Sequence, residues 1–76
     1  MSRNRIEDLL EEVGAKPKRE KSPYISYLAK IGNNVVVISE IGTVYRVEFI
    51  MNFKLDNLLF PNFEELRKWV RSNATL

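Results

Sequence analysis

Val35, Val36, Val37 and Ile38 form an unbroken apolar run within the stretch NNVVVISEIG. β-branched residues favour strand over helix, because their stiff side chains pack well on a pleated surface. Side chains on a strand alternate between its two faces, so this run is apolar on both. Such a strand belongs at the centre of a sheet. A chain of 76 residues has little material with which to cover both faces. The question the run poses is what lies on the second one.

The flanking segments read as its neighbours. YISYLAKI (24–31) precedes it across GNN, and TVYRVEFIMNF (43–53) follows the turn closed by Gly42. Both connections are too short for anything but antiparallel hairpins. The result is a three-stranded meander with VVVISE (35–40) in the middle. A three-residue loop at Gly32-Asn33-Asn34 sets Ile31 opposite Val35. A left-handed Gly42 after Glu40 and Ile41 sets Ser39 opposite Thr43. One face then carries Ile25, Tyr27, Ala29, Ile31, Val35, Val37, Tyr45, Val47, Phe49, Met51 and Phe53, all apolar or aromatic. The other mixes Leu28, Val36, Ile38, Val44 and Ile50 with Lys30, Glu40, Arg46 and Glu48. A two-residue turn at either place exchanges the sides.

A helix is expected at each end. In 5–13, Ile6, Leu9, Leu10 and Val13 recur at helical spacing and form one apolar stripe; Ser2 or Asn4 suits the N-cap and Gly14 the C-cap. In Phe63–Ser72, Phe63, Leu66 and Val70 share a face with Trp69 beside them. Asn62 and Glu65 have capping-box spacing there. Glu64 and Glu65 come early and Arg67, Lys68 and Arg71 late, as the helix dipole favours. This helix is expected on the fully apolar sheet face. Between the first helix and the strands lies GAKPKREKSP (14–23), a basic linker. The expected fold is therefore α+β in the order α-β-β-β-α. It comprises an N-terminal amphipathic helix (1–13), a basic flexible linker (14–23) and a βββα domain (24–76).

Composition excludes several classes. The chain has no histidine and no cysteine, which removes the commonest general base, thiolate chemistry and the usual metal ligands. The carboxylates show no acid/base or metal spacing, and Gly14, Gly32 and Gly42 have turn or cap explanations rather than a phosphate loop. The expectation is a protein without enzymatic activity, cofactor or metal. Glu7, Asp8, Glu11 and Glu12 interrupt the N-terminal region where a signal peptide needs an apolar core. No apolar run approaches the roughly 20 residues of a membrane span. A soluble, cytoplasmic protein with no membrane partner is expected.

Two kinds of partner fit. Lys16, Lys18, Arg19 and Lys21 in the linker, with Arg67, Lys68 and Arg71 on the last helix, would suit phosphates without reading sequence. The element order resembles that of the double-stranded-RNA-binding domain, whose last helix opens with a lysine-rich motif. Here PNFEELRKW presents Glu64 and Glu65 at that place, and a glycine-rich lead-in is missing. A three-stranded sheet followed by a helix also resembles the small DNA-binding domains of some integrases, with no residue motif in common. These likenesses are topological. The other partner is protein. Leu28, Val36, Ile38, Val44 and Ile50 make an apolar centre with a charged rim, the pattern of an interface. Helix 1 in a three-layer arrangement, a second copy, or a different protein would each cover it. The helix-1 stripe and the sheet edges are further contact candidates. Protein–protein binding is the expected function, with sequence-nonspecific nucleic-acid binding as the alternative.

Overall fold

The computed structural model describes residues 4–50 and 57–74. Among them the order is α1 (Arg5–Glu12), β1 (Lys18–Arg19), β2 (Ile25–Ile31), β3 (Asn34–Ile41), β4 (Val44–Phe49), β5 (Leu58–Phe60) and α2 (Phe63–Ala74). The strands form one antiparallel sheet in chain order, β1 to β5, with β3 at its centre. The expected α+β order stands. The sheet gains two short edge strands, one from within 14–23 and one from the segment before α2. The expected end of the third strand, with Met51 and Phe53, lies outside the described residues.

The register of the central strand differs from expectation. Ile31 pairs with Asn34 and Ile41 with Val44, so both hairpins close through two residues, Gly32-Asn33 and Gly42-Thr43. Each glycine has φ +61°, and neither residue that follows has positive φ. That is the signature of a type II′ turn, whose twist matches the strands it joins. A turn one residue shorter moves every side chain of β3 to the opposite face. Val36 and Ile38 therefore point into the core, at 0% exposure, and Val35 and Val37 point away from it. The faces expected for β2 and β4 hold: Tyr27, Ala29, Ile31, Tyr45 and Val47 are buried together.

Both helices cover this one face. Ile6, Leu9 and Leu10 of α1 and Leu66 and Val70 of α2 join the same core. The three-layer arrangement is thus not formed; α1 lies beside α2. Asn4 caps α1, its Oδ1 accepting from the Ile6 N–H at 2.7 Å. The helix ends with the Gly14 N–H on the Glu11 carbonyl at 3.0 Å and the Ala15 N–H on the Leu10 carbonyl at 2.8 Å. This is the paired Schellman closure, and it buries Ala15. At α2 the Asn62 Oδ1 accepts from the Glu65 N–H at 3.0 Å. Trp69 meets Phe49 edge-on at 6.1 Å and Phe60 at 6.0 Å, which ties α2 to β4 and β5.

Polar contacts fix the helices on the sheet. Arg5 Nη2 donates to Tyr45 Oη at 2.8 Å, and its guanidinium lies 5.1 Å from the centre of the Phe63 ring. Asn4 Nδ2 donates to Glu40 Oε1 at 3.3 Å. Arg71 donates through Nε and Nη2 to Glu12 Oε2, at 3.0 and 2.8 Å, across the two helices. Burial raises the Tyr45 hydroxyl above its ordinary pKa; the Glu40 carboxylate adds to this and the Arg5 cation opposes it.

Two outcomes test this fold. Val36→Ala is expected to lower the unfolding free energy by about 2–3 kcal/mol, since it empties a closed site. Val37→Ala, on the other side of the strand, is expected to cost no more than about 1 kcal/mol. Urea unfolding in dilute solution reads both, and the three-residue turn would reverse their order. Because the folded Tyr45 pKa is raised, its contribution to stability is full below the unfolded value near 10 and declines as pH rises through the folded one. Thermal melts from pH 9 upward should show that decline (about one group's worth), and Tyr45→Phe should lack it.

Candidate interface on the open sheet face

The two-residue turns decide the composition of the second sheet face. Cross-strand partners share a face, so the pairing builds it in rows. Ser26, Ser39, Arg46 and Leu59 form one row, and Lys18, Leu28, Val37 and Glu48 the next. Lys30 pairs with Val35, and the Ile50 N–H bonds to the Val35 carbonyl at 2.9 Å, which begins a third. Ile41 and Val44 begin a fourth at the opposite end. The Glu20 N–H donates to the Ser26 carbonyl at 2.9 Å. This continues the β1 ladder and sets Glu20 in the Ser26 row. Among the described residues no helix or loop lies over this face.

About half of its side chains are apolar. Leu28, Val35, Val37, Ile41 and Val44 are half-buried by their own neighbours. Ile50, at 44% exposure, and Leu59, at 67%, stand at its margins, with Tyr24 at 43% beyond the start of β2. Ser26 and Ser39 are the small side chains of the face. Their hydroxyl oxygens lie 2.8 Å apart and both residues are buried. This mutual bond satisfies two hydroxyls that water cannot reach. Beside them Arg46 Nη2 pairs with Glu48 Oε1 at 3.0 Å along one strand. Arg46 Nε is buried and has no acceptor among the described residues. Unpaired buried donors are costly, so this guanidinium is incompletely served.

Of the five residues expected on this face, Leu28, Val44 and Ile50 are there. Val36 and Ile38 are not; they are covered by the helices, and Val35 and Val37 take their places. The helix-1 stripe is spent within the core, with Ile6, Leu9 and Leu10 buried and Val13 half-buried. Ile41 and Leu59 were not expected on this face, and Lys18, expected as a linker cation, joins it through β1. The signal for the turn was present, since Gly-Asn between two apolar runs is a two-residue hairpin pattern.

The basic residues are divided. Arg67 pairs with Glu64 and Arg71 with Glu12 on the helix side, where Lys68 is exposed. Arg19 lies over the Tyr27 ring, 5.5 Å from its centre. Lys21 is exposed between β1 and β2. Lys16 and Lys18 instead meet Lys30 around an open groove of about 700 Å³ that follows the β2 edge past the end of β1. The register turns the Lys30 backbone groups outward there, beyond the reach of β1.

Among the described residues no group of three or more Asp or Glu is placed to hold a metal ion, and no helix is long and apolar enough to cross a membrane. Comparison with models of known protein families, with curated proteins and with solved structures finds no match.

Proposed function

We propose that this chain is a small, non-enzymatic binding protein that works through protein–protein contacts, with the open sheet face as its contact surface. One observation carries the reading: the face presents half-buried and exposed aliphatic side chains among its charges, and both helices are on the other side of the sheet. Strands spaced about 4.8 Å apart and rising about 3.3 Å per residue give it roughly 500 Å² in projection. Removing apolar surface from water contributes about 25 cal/mol per Å². That projected area is the whole face, charged and hydroxyl side chains included; exposed apolar groups within it, such as Ile50 and Leu59, are the kind of surface that marks an interaction site. A cytoplasmic setting belongs to the same reading, in keeping with a chain that has no cysteine.

Val37→Lys tests it. The new lysine would stand opposite Glu48 on β4, a favourable cross-strand pair that keeps the sheet intact. It also puts a charge at the centre of the face. Association of the chain, with itself or with a protein captured from cell extract, is expected to be lost in this variant at matched thermal stability. Associations that persist unchanged in Val37→Lys would sink the proposal.

The groove of Lys16, Lys18 and Lys30 favours a second reading, sequence-nonspecific binding of nucleic acid. Its expected mark is an affinity for DNA or RNA that falls steeply with salt. Replacing these three lysines by Ala should then weaken a mobility shift at low salt, while Arg67→Ala and Arg71→Ala change it little. Equal retardation of the triple variant and the wild type would rule the groove out.

A further inference from the structure

Resting on the reading of the open face as a protein-binding surface, we infer that its occupant is a second copy of this chain. The two copies are related by a two-fold axis that lies in the plane of the face and runs across the strands. The argument is the arrangement of charge. In one row Glu20 stands on the β1 side and Arg46 on β4; in the next row Lys18 and Glu48 hold the same columns with the signs reversed. A half-turn about an axis midway between these rows lays each on the other. Arg46 then meets Glu48 of the second copy, and Glu20 meets Lys18 of the second copy. A two-fold axis along the strands would instead set Arg46 against Ser26 of the second copy. An isologous interface requires a surface complementary to itself. An unrelated partner imposes no such antisymmetry.

Shape agrees with charge. Small Ser26 and Ser39 come opposite the larger Leu28 and Val37 of the second copy, so a shallow row receives a raised one. At the two ends Ile41 meets Val35 of the second copy and Val44 meets Ile50. The remaining cation, Lys30, arrives over the exposed Tyr24 ring. Arg46 and Glu48 already pair within each chain at 3.0 Å. Two such pairs about the axis make a ring of four alternating charges, and each guanidinium gains a second carboxylate. Stacked sheets rotate by about 30° against each other. Arg46 and Glu48 sit about 4.8 Å from the central strand, so that rotation displaces them by an amount a long side chain absorbs; Glu20 and Lys18, two strands out, are displaced about twice as far, which makes the Arg46–Glu48 pairs the principal contact. Two faces that overlap fully offer at most about 1,000 Å², which places the contact at the small, weak end of specific interfaces.

Sedimentation equilibrium of the full chain from about 1 μM to about 1 mM tests this. A monomer–dimer equilibrium is expected. Arg46→Glu and Glu48→Arg should each weaken it at least about tenfold, because each sets like charges against one another twice. An equimolar mixture of the two variants should recover the dimer, since one chain then carries two acids and the other two bases. Recovery on mixing also shows that both variants fold. A wild type monomeric over the whole range, or a mixture no more associated than its components, would overturn the inference. If the monomeric wild type nonetheless binds another protein and Val37→Lys abolishes that binding, the second copy is excluded and the binding face remains. A dimer unchanged by Val37→Lys overturns both.

Discussion

The parity of two turns governs this structure. A hairpin that closes through two residues instead of three inverts the central strand, and the chain does so twice, at Gly32-Asn33 and Gly42-Thr43. Because both turns shift together, β2 and β4 keep a common apolar face and β3 joins it through Val36 and Ile38. Had only one turn changed, the three strands could not have agreed on a core side. The left-handed glycine at the first turn position is the local cause. It lets the backbone twist as the strands require, which a residue with a Cβ does at a steric cost.

Once the core side is set, the placement of α1 follows from the linker. Ten residues of extended chain could reach either side of a sheet. They do not span freely here, because Lys18 and Arg19 pair along β2 and shorten the tether. The Schellman closure turns the chain back immediately after α1, and Ala15 enters the core with Leu10. A helix this short is marginal on its own. Lying beside α2, it shares one deep core instead of founding a second, shallow one. A core built from both helices and one sheet face excludes water better than two thin layers in so small a chain.

Much of this was legible in the residues. The helix stripes, the Asn62 cap and the turn at Gly14 were readable because spacing and capping chemistry are local. The faces of β2 and β4 were readable from plain alternation. The face of β3 was not, because a run of four apolar residues carries no alternation, and its sidedness had to come from the turns. The charges on the strand gave a misleading hint: Glu40 suggests an outward face, yet it stands at the margin of the core face, where Asn4 donates to it. The strands β1 and β5 have two and three residues and offer no period to detect. The basic residues looked like one set by composition. In space they separate, because Arg67 and Arg71 have carboxylate partners and the lysines of the linker do not share them.

The meander order has a bearing on how the chain reaches its fold. Every strand pairs with its neighbour in sequence, so each step of the sheet closes a short loop at small entropic cost. Topologies dominated by such local pairings fold faster than those that wait for distant segments to meet. The helix contacts are the long-range ones: Asn4 with Glu40, Arg5 with Tyr45 and, across 59 residues, Glu12 with Arg71. The last of these joins the two helices across the whole meander. The sheet can thus assemble progressively, while the helical layer that seals the core is completed only when the two ends of the described chain come together.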